Sequence, residues 1–486
     1  MVKYLKAYYL EFIVFAFIFG NAYILINRKD DFYAYNLIPA ALLIGYVAIF
    51  HLQQLVYFLA FVTPLAISLR ELGLTEKIDL SLPSEPIMII IMMLYIFNSL
   101  NKPIADKKFI NHPITIIIIM QLVWMLITAL CSVDIIVSIK YLISRLWFVF
   151  SCYIIIPHLF QERRNMFNFI FCYATGLLIV VLITTYKHAA FNFNDKAADW
   201  IVSPYYNDHT AYGAALSMFI PVCLALVFVK SISTFLRLYA LSLFLLFTMA
   251  LILSFARASW LSLIMAMFIL ITLLLKINFK TLFLTLVITG GLIFTFQTEI
   301  LIALGRNNTD AEGGFANNIE SVSNISTDAS NLERLNRWSC AMRMWKDKPI
   351  LGWGPGTYMF EYAPYQLSRE KTIISTNFGT NGNAHSEYLG PLTEQGVLGC
   401  VIMLALLLYI SSLGYRLTYT VADCEIKIIV MALFLGLMSY LIHGFLNNFL
   451  DTDKLSLPFW SFLAALVTID LYYDKKIPYV KVVSQP

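Results

Sequence analysis

Long apolar runs recur along this chain, and they restrict its fold more than any other feature. Several of them, such as residues 113–131 and 234–253, approach the ~20 residues with which a helix crosses the hydrocarbon core of a bilayer. Only 13% of the residues are charged, whereas a soluble domain carries about 25%. So few charges could not solvate a globule of 486 residues. The sequence therefore predicts an all-α fold, a polytopic transmembrane helical bundle.

The apolar pattern predicts about 14 spans and one long polar loop. Residues 1–298 are expected to hold transmembrane helices 1–11 with short loops, residues 299–388 an extracytoplasmic loop, and residues 389–486 helices 12–14 with a cytoplasmic tail. The boundaries are least well defined within residues 28–100. The expected spans lie near residues 8–27, 36–50, 53–70, 86–100, 113–131, 136–159, 166–185, 212–229, 234–253, 260–275, 281–298, 389–411, 427–446 and 456–473.

The distribution of lysine and arginine predicts the orientation, because cytoplasmic loops of membrane proteins are enriched in both. With both termini in the cytoplasm, the segments 186–211, 254–259 and 299–388 share the outer face. The pair Arg28-Lys29 departs from the rule and lies beside Asp30-Asp31. The cations that then lie inside are Lys102, Lys107, Lys108, Arg163, Arg164, Lys230, Lys276, Lys280, Arg416, Lys475, Lys476 and Lys481.

The long loop changes character along its length. Residues 305–330 are rich in Asn, Ser, Asp and Gly, a composition typical of a mobile segment. Apolar residues then recur at steps of three and four, which predicts a short amphipathic helix at the outer membrane surface. Ser330 and Glu333 could form a capping box at its start, and the turn-forming stretch 347–356, "DKPILGWGPG", ends it. The apolar residues of this stripe are Leu332, Leu335, Trp338, Met342 and Trp345.

Cations at membrane depth form a second pattern, and such residues are costly enough to be functional by default. Arg257 lies between two spans, in "LSFARASWLSL". Lys140 and Arg145 lie in the outer half of the sixth span, and Arg334 and Arg337 lie on the loop helix. All five are predicted near the outer face, where guanidinium groups would suit a bound phosphate.

Structural roles are open for the same cations. Arg257 could extend its charged head to the membrane interface. Lys140 could pair with Asp134, and Arg334 could pair with Glu333 or Asp328.

The stretch 379–399, "GTNGNAHSEYLGPLTEQGVLG", joins the polar loop to the next span. Histidine titrates near neutral pH, so His385 is a candidate general base, and the glycines allow the backbone to bend. Glu387 or Glu394 could orient His385 or pair with an arginine. His385 could instead cap a helix or lie at the interface, and His209 is a weaker alternative base.

Three successive segments resemble the signatures of the O-antigen ligase and polymerase superfamily. They are "LSFARASWLSL" with Arg257, "RLNRWSCAMRMWKDKPILGWGPGTYMFEY" with Arg334 and Trp338, and "NAHSEYLGPLTEQGVLG" with His385. The segment 205–216, "YYNDHTAYGAAL", also resembles an outer loop of that family, so the likeness covers roughly residues 200–410. Ala256 and Ser386 depart from the usual serine and asparagine.

The resemblance implies a membrane glycosyltransferase that acts on the outer face of a bacterial inner membrane, in cell-surface polysaccharide biosynthesis. The donor would be a glycan on undecaprenyl diphosphate, and the acceptor a sugar hydroxyl on lipid A–core of lipopolysaccharide or on a second lipid-linked glycan. The reaction would proceed without a metal or other cofactor and with inversion, and no nucleic acid would be involved.

Site residues follow from the resemblance together with the chemistry of the reaction. Arg257 and Arg334 would stabilise the leaving diphosphate, and His385 would deprotonate the acceptor. These three residues are the predicted catalytic set. The predicted substrate-binding residues are Arg337, Arg145, Lys140 and Glu387.

Other functions are compatible with parts of the sequence. The same signatures serve a ligase and a polymerase, so both activities are predicted. A lipid-linked glycan flippase or another transporter would show repeated halves with polar residues at mid-depth, and a scaffold would not need the cations and histidine to converge. A metal held by Asp30 and Asp31, or by Asp451 and Asp453, is the alternative to the arginines.

Overall fold

The computed structural model describes residues 2–27, 32–73, 80–99, 106–277, 281, 329–372, 375 and 382–473. Contacts divide the chain into two units, residues 1–58 and 59–486. The helices are α1 Val2–Asn27, α2 Phe32–Phe50, α3 Leu52–Val62, α4 Ser84–Ser99, α5 Lys107–Ile110, α6 Pro113–Leu130, α7 Ile135–Val149, α8 Ile156–Phe160, α9 Arg163–Ala189, α10 Asp195–Ile201, α11 His209–Phe228, α12 Thr234–Leu253, α13 Arg257–Leu274, α14 Ala329–Asp347, α15 Tyr358–Glu361, α16 Leu389–Thr420, α17 Cys424–His443 and α18 Asp453–Thr468. Short 3₁₀ turns occur at Thr63–Leu65, Ala363–Tyr365 and Ser368–Glu370, and π-helical turns occur at Phe150–Ile154 and Ile469–Tyr473.

Nine helical segments of the described residues are long and apolar enough to cross a membrane, which confirms the all-α, multi-pass class. The predicted total of about 14 spans is not established by these helices, and the expected span 281–298 falls, apart from Thr281, outside the described residues. The predicted division at residues 298 and 388 stays a prediction. The nine segments are Pro113–Leu130, Ile135–Phe160, Arg163–Ala189, His209–Phe228, Thr234–Leu253, Arg257–Leu274, Leu389–Thr420, Cys424–His443 and Asp453–Tyr473.

The first unit contains α1 and α2, which pack against each other. Asn36 Nδ2 donates to Asn21 Oδ1 at 2.6 Å, and the rings of Phe17 and Tyr35 stack with centroids 5.1 Å apart. An amide pair within apolar helices gives the two helices a fixed register.

The predicted third span, residues 53–70, is wrong in its last third. Helix α3 ends at Val62, and Pro64 follows in a 3₁₀ turn because proline has no N–H to continue the helical pattern. Two short strands come next, β1 (Ile67–Ser68) and β2 (Ser81–Leu82), which pair antiparallel with Ile67 opposite Leu82.

The centre of the second unit is formed by α11, α17 and the span Asp453–Tyr473. In the span of α11, 78% of the most apolar window is buried within the protein, and the value is 83% for Asp453–Tyr473. The corresponding value for α12 and for α13 is 28%. The mean hydropathy of α12 and α13, 2.1 and 1.9, is no lower than the 1.5 of the buried span Asp453–Tyr473, so α12 and α13 have an apolar outer side free for lipid.

The loops of the bundle gather at two ends. At the first end, Arg163 pairs with Asp423 at 2.6 Å, and Arg416 pairs with Asp470 at 2.6 Å. At the other end, the Val133 amide donates to the Trp353 carbonyl at 3.0 Å. We call this second end, with residues 130–135, 254–257, 347–358 and 443–453, the site end.

The predicted loop helix is present as α14, but its buried face differs from the predicted apolar stripe. Leu335 and Met342 remain 40% and 38% exposed. The described helix begins at Ala329, one residue before the predicted cap Ser330, and the Glu333 carboxylate accepts hydrogen bonds from Arg337 and from the loop hydroxyls of Thr372 and Ser375. The buried residues of the helix are Glu333, Asn336, Arg337, Cys340, Ala341 and Met344.

Candidate functional site

A break in α16 shapes the site end. Gly396 has a φ of 71° inside this helix, a conformation that other residues rarely adopt. A Cβ atom on Gly396 would lie 2.0 Å from the carbonyl oxygen of Ile350, so the loop passes directly over the glycine. The prediction that glycine allows bending and close packing in this stretch is confirmed at Gly396.

The turn after α14 is bonded to this break through the backbone. The Trp353 amide donates to Thr393 at 3.1 Å, and the Gly354 amide donates to Glu394 at 2.8 Å. The Val397 amide, which the break leaves without a helical partner, donates to the turn. The loop helix and the start of α16 are therefore held as one piece, with residues 382–388 between them.

His385 faces the loop helix. It has a φ of 46°, and its carbonyl accepts a hydrogen bond from Trp338 Nε1 at 3.3 Å. Trp338 follows Arg334 by one helical turn, so both side chains leave α14 on the same side. The enclosed surroundings of His385, with the charges of Arg334 and Arg337, lower its pKa to about 4. His385 is therefore uncharged at neutral pH and able to accept a proton.

A second histidine lies beside this pair. His443, at the end of α17, hydrogen-bonds through Nε2 with Asn447 at 3.1 Å and lies against the backbone of Ala258. The charge of Arg334 acts on both His443 and His385. Ala258 follows Arg257, which is half-buried at the first residue of α13.

The structure thus brings Arg334 and His385 together and places the start of the Arg257 helix beside His443. The charge of Asp208, the N-cap of α11, also acts on both histidines. Neither His443 nor Asp208 was singled out from the sequence. A histidine at the end of an apolar span, with an asparagine one turn later, is the signal that could have found His443.

A family model described as O-antigen ligase matches residues 241–404, about a third of the chain. The chain carries an O-antigen ligase domain. The match contains Arg257, Arg334, His385 and the break at Gly396, so it covers the residues assembled at the site end. No curated protein matches the chain. The domain makes the protein a membrane enzyme of the O-antigen ligase or polymerase type.

Next to His385, the ligase domain and the helices around it enclose a cavity of about 150 Å³. Residues on both sides of His385 in the sequence line it, whereas His385, Arg257, Arg334 and His443 do not. Its polar lining residues are Gln121, Tyr141, Arg145, Asn383, Ser386, Glu387, Glu394, Gln395, Asn448 and Asp451.

The two glutamates of the cavity have partners of their own. Glu387 Oε1 accepts from Tyr440 Oη at 2.6 Å and from the amides of Phe449 and Leu450, each at 2.9 Å. Glu394 Oε1 accepts from the Tyr358 amide at 3.0 Å. Within the described residues, neither carboxylate bonds to His385, so the interpretation that one of them orients the histidine is not supported by these contacts.

Asp451 is a third carboxylate on the cavity wall. Enclosure by the surrounding protein, which removes hydrating water, and the nearby Glu387 carboxylate raise the pKa of Asp451 to about 6. Asp453, the other half of the alternative metal pair, is buried against Ser84 and Lys454. No group of three or more His, Cys, Asp or Glu residues that could hold a metal ion occurs in the described part of the chain.

Two of the predicted substrate-binding cations, Arg337 and Lys140, do not line the cavity. Arg337 Nε pairs with Glu333 at 2.6 Å, and its guanidinium lies 4.1 Å from the ring centroid of Tyr362. These contacts hold α14 in place, and they also direct Glu333 toward Arg337 rather than Arg334. Lys140 is exposed, and the Asp134 carboxylate caps α7. Contact of either cation with substrate stays a prediction.

The other two substrate-binding predictions, Arg145 and Glu387, line the cavity. His209, the alternative base, has its Nδ1 at 2.8 Å from Asp199 Oδ1. The site end therefore separates the predicted residues into a cluster around His385 and a cavity around Arg145.

Proposed function

We propose that this protein is a glycosyltransferase of the bacterial inner membrane. It moves a glycan from an undecaprenyl diphosphate carrier to a sugar hydroxyl on the extracytoplasmic face, in cell-surface polysaccharide biosynthesis. The observation that carries the proposal is the juxtaposition of Arg334 and His385, fixed by the Trp338 bond of 3.3 Å to the His385 carbonyl. For the reaction to take place on that face, the site end must lie on the extracytoplasmic side of the membrane, with both termini in the cytoplasm.

The reaction is a displacement at the anomeric carbon. The acceptor oxygen forms a bond to that carbon while the bond to the diphosphate oxygen breaks, and attack from the opposite side inverts the configuration. Negative charge develops on the departing lipid diphosphate. Arg334 and Arg257 stabilise that charge, since guanidinium groups match phosphate oxygens in pairs. His385 accepts the proton that the acceptor hydroxyl loses.

Charge balance couples donor binding to the strength of the base. In the free protein, the neighbouring arginines contribute to the low pKa of His385, about 4. A bound diphosphate offsets the charge of Arg334, so the pKa of His385 rises toward its ordinary value. His385 then becomes a stronger base only when the donor is present.

The same site could catalyse ligation or polymerisation, and the two activities differ only in the acceptor. Transfer to lipid A–core is ligation, and transfer to a second lipid-linked glycan is polymerisation. Both fit the ligase domain, which favours an enzyme over a transporter. We take ligation as the first candidate because the matching family is described as O-antigen ligase.

Complementation tests the function and separates the two activities. The gene is expressed in a strain that lacks its ligase and in one that lacks its polymerase. A ligase restores long glycan on lipid A–core in the first strain. A polymerase restores long glycan on the carrier in the second strain, where single repeat units otherwise accumulate. Failure in both strains, with the protein present in the membrane, would contradict the proposed function.

A further inference from the structure

The cavity around Arg145 is distinct from the His385 cluster. Residues 382–387 run between the two, because Asn383, Ser386 and Glu387 line the cavity while the charged neighbours of His385 do not. At about 150 Å³, the cavity exceeds the ~30 Å³ that one water occupies in the liquid. It is therefore large enough for a small ligand.

Arg145 is the first group in the cavity that points to a ligand. Its side chain is 94% buried, yet in the described part of the chain its one hydrogen bond goes to the Tyr141 hydroxyl, at 3.0 Å. A buried guanidinium with remaining N–H donors is costly unless those donors find acceptors. Since Arg145 lines the cavity, a bound molecule with lone pairs would supply them.

Acceptor atoms around the cavity are also incompletely used. All the hydrogen bonds described for the Glu387 carboxylate go to Oε1, so Oε2 remains available. Asn448 Oδ1 is buried and has no hydrogen-bond partner among the described residues. The ligand should therefore be a small molecule that carries both hydrogen-bond donors and hydrogen-bond acceptors.

The carboxyl groups of the cavity disfavour binding of the donor phosphates. Three carboxyl groups, those of Glu387, Glu394 and Asp451, face one guanidinium, and those that are ionised repel a diphosphate at short range. Sugar hydroxyls both donate to carboxylates and accept from arginine, and they bring no charge. Tyr141 and Trp460, which also line the cavity, offer aromatic surface to a sugar ring.

We propose that this cavity binds an uncharged sugar residue of the acceptor glycan, next to the cluster that holds the donor diphosphate. The assignment rests on the proposed function. It adds the class of molecule that binds on the acceptor side of the site, which is an uncharged sugar.

A second cavity, of about 120 Å³, extends the site. Asp451 lines both cavities, and the second is also lined by the polar side chains of Glu85, Asn207 and Lys454. A neighbouring sugar of the same acceptor chain would lie there. Asp451 would then contact two consecutive residues of the glycan.

The test uses the full-length protein in lipid nanodiscs and two soluble probes. Saturation-transfer NMR measures binding of methyl hexopyranosides, and titration measures binding of farnesyl diphosphate. Asp451→Asn and Arg145→Gln should weaken sugar binding tenfold or more and leave diphosphate binding unchanged. Arg334→Gln should do the reverse. Asp195→Asn and Arg164→Gln change matched, exposed residues outside both sites and should alter neither.

Thermal unfolding identifies variants that fail to fold, and Asp451→Asn keeps the test informative because its carboxylate lies on the cavity surface. Sugar binding that is unchanged in Asp451→Asn would overturn the assignment, and so would diphosphate binding that depends on Arg145. Diphosphate binding that is unchanged in Arg334→Gln would instead count against the proposed function.

Discussion

Trp338 donates the hydrogen of its indole nitrogen to the carbonyl of His385, at 3.3 Å, across 47 residues of sequence. The bond joins the loop helix to the stretch that leads into α16. Since Arg334 lies one turn before Trp338 on the same side of the helix, the tryptophan sets the spacing between the arginine and the histidine.

Loss of this bond should slow transfer without unfolding the protein. Trp338→Phe keeps an aromatic ring but removes the donor, and we expect transfer to fall about tenfold, which corresponds to about 1.4 kcal/mol in the barrier. Trp345→Phe is the matched control, because Trp345 Nε1 has no hydrogen-bond partner among the described residues. Initial rates of glycan transfer in membranes, normalised to protein amount, provide the measurement. Equal rates in the two variants would mean that the bond does not position the site.

Arg334 should be required in its guanidinium form. Arg334→Gln removes the charge that faces the leaving diphosphate, and we expect transfer to fall about 100-fold or more. Arg334→Lys keeps the charge but not the paired donors, so it should recover only part of the rate. Arg343→Gln, on the same helix, breaks an ion pair with Glu370 and should lower stability while transfer remains near normal. A wild-type rate in Arg334→Gln would count against the diphosphate clamp.

The acid limit of activity should lie unusually low. A histidine base acts only when it is unprotonated, and kcat/KM reports the free enzyme. With its pKa lowered to about 4, His385 stays neutral as the pH falls below 6.5, where an ordinary histidine becomes protonated. We expect kcat/KM for the donor, measured at saturating acceptor so that protonation of Asp451 does not limit the rate, to keep its value down to about pH 5. In Arg334→Lys the cation remains, so the acid limit should stay low, whereas Arg334→Gln should move the limit of its residual activity to higher pH.

The break in α16 should tolerate no side chain. Gly396→Ala puts a Cβ 2.0 Å from the Ile350 carbonyl oxygen at a φ of 71°. Backbone strain of this kind costs about 1–3 kcal/mol, and the collision adds to it, so the unfolding temperature should fall clearly. Gly390→Ala, where no atom lies within 4 Å of the added carbon, should leave the unfolding temperature unchanged. Similar unfolding temperatures for the two variants would contradict the description of the turn.

The sequence predicted the parts of the fold that depend on local pattern. Apolar runs near the thickness of a bilayer predicted the nine long apolar helices of the described residues, and the glycines of residues 379–399 indicated the bend at Gly396. The buried face of α14 could not be predicted in the same way. Its apolar residues include the exposed Leu335 and Met342, while the helix buries Glu333 and Arg337, because a polar network can be satisfied inside the protein.

The features that could not be predicted depend on contacts between segments that are distant in the sequence. Lys140 and Arg145 lie in one predicted span, yet one is exposed and the other lines a cavity, since five residues along a helix turn the side chain to another face. His443 joins the site only because α17 ends beside the start of α13. The family resemblance identified Arg257, Arg334 and His385, but it carried no information about the carboxylates around Arg145.

The most direct test of the central claim is a single-turnover assay of His385→Ala in proteoliposomes, with a lipid-linked glycan donor and its acceptor. If His385 accepts the proton of the acceptor, the variant binds farnesyl diphosphate as tightly as the native protein but transfers no glycan. Transfer at the native rate by a correctly folded His385→Ala protein would contradict the account.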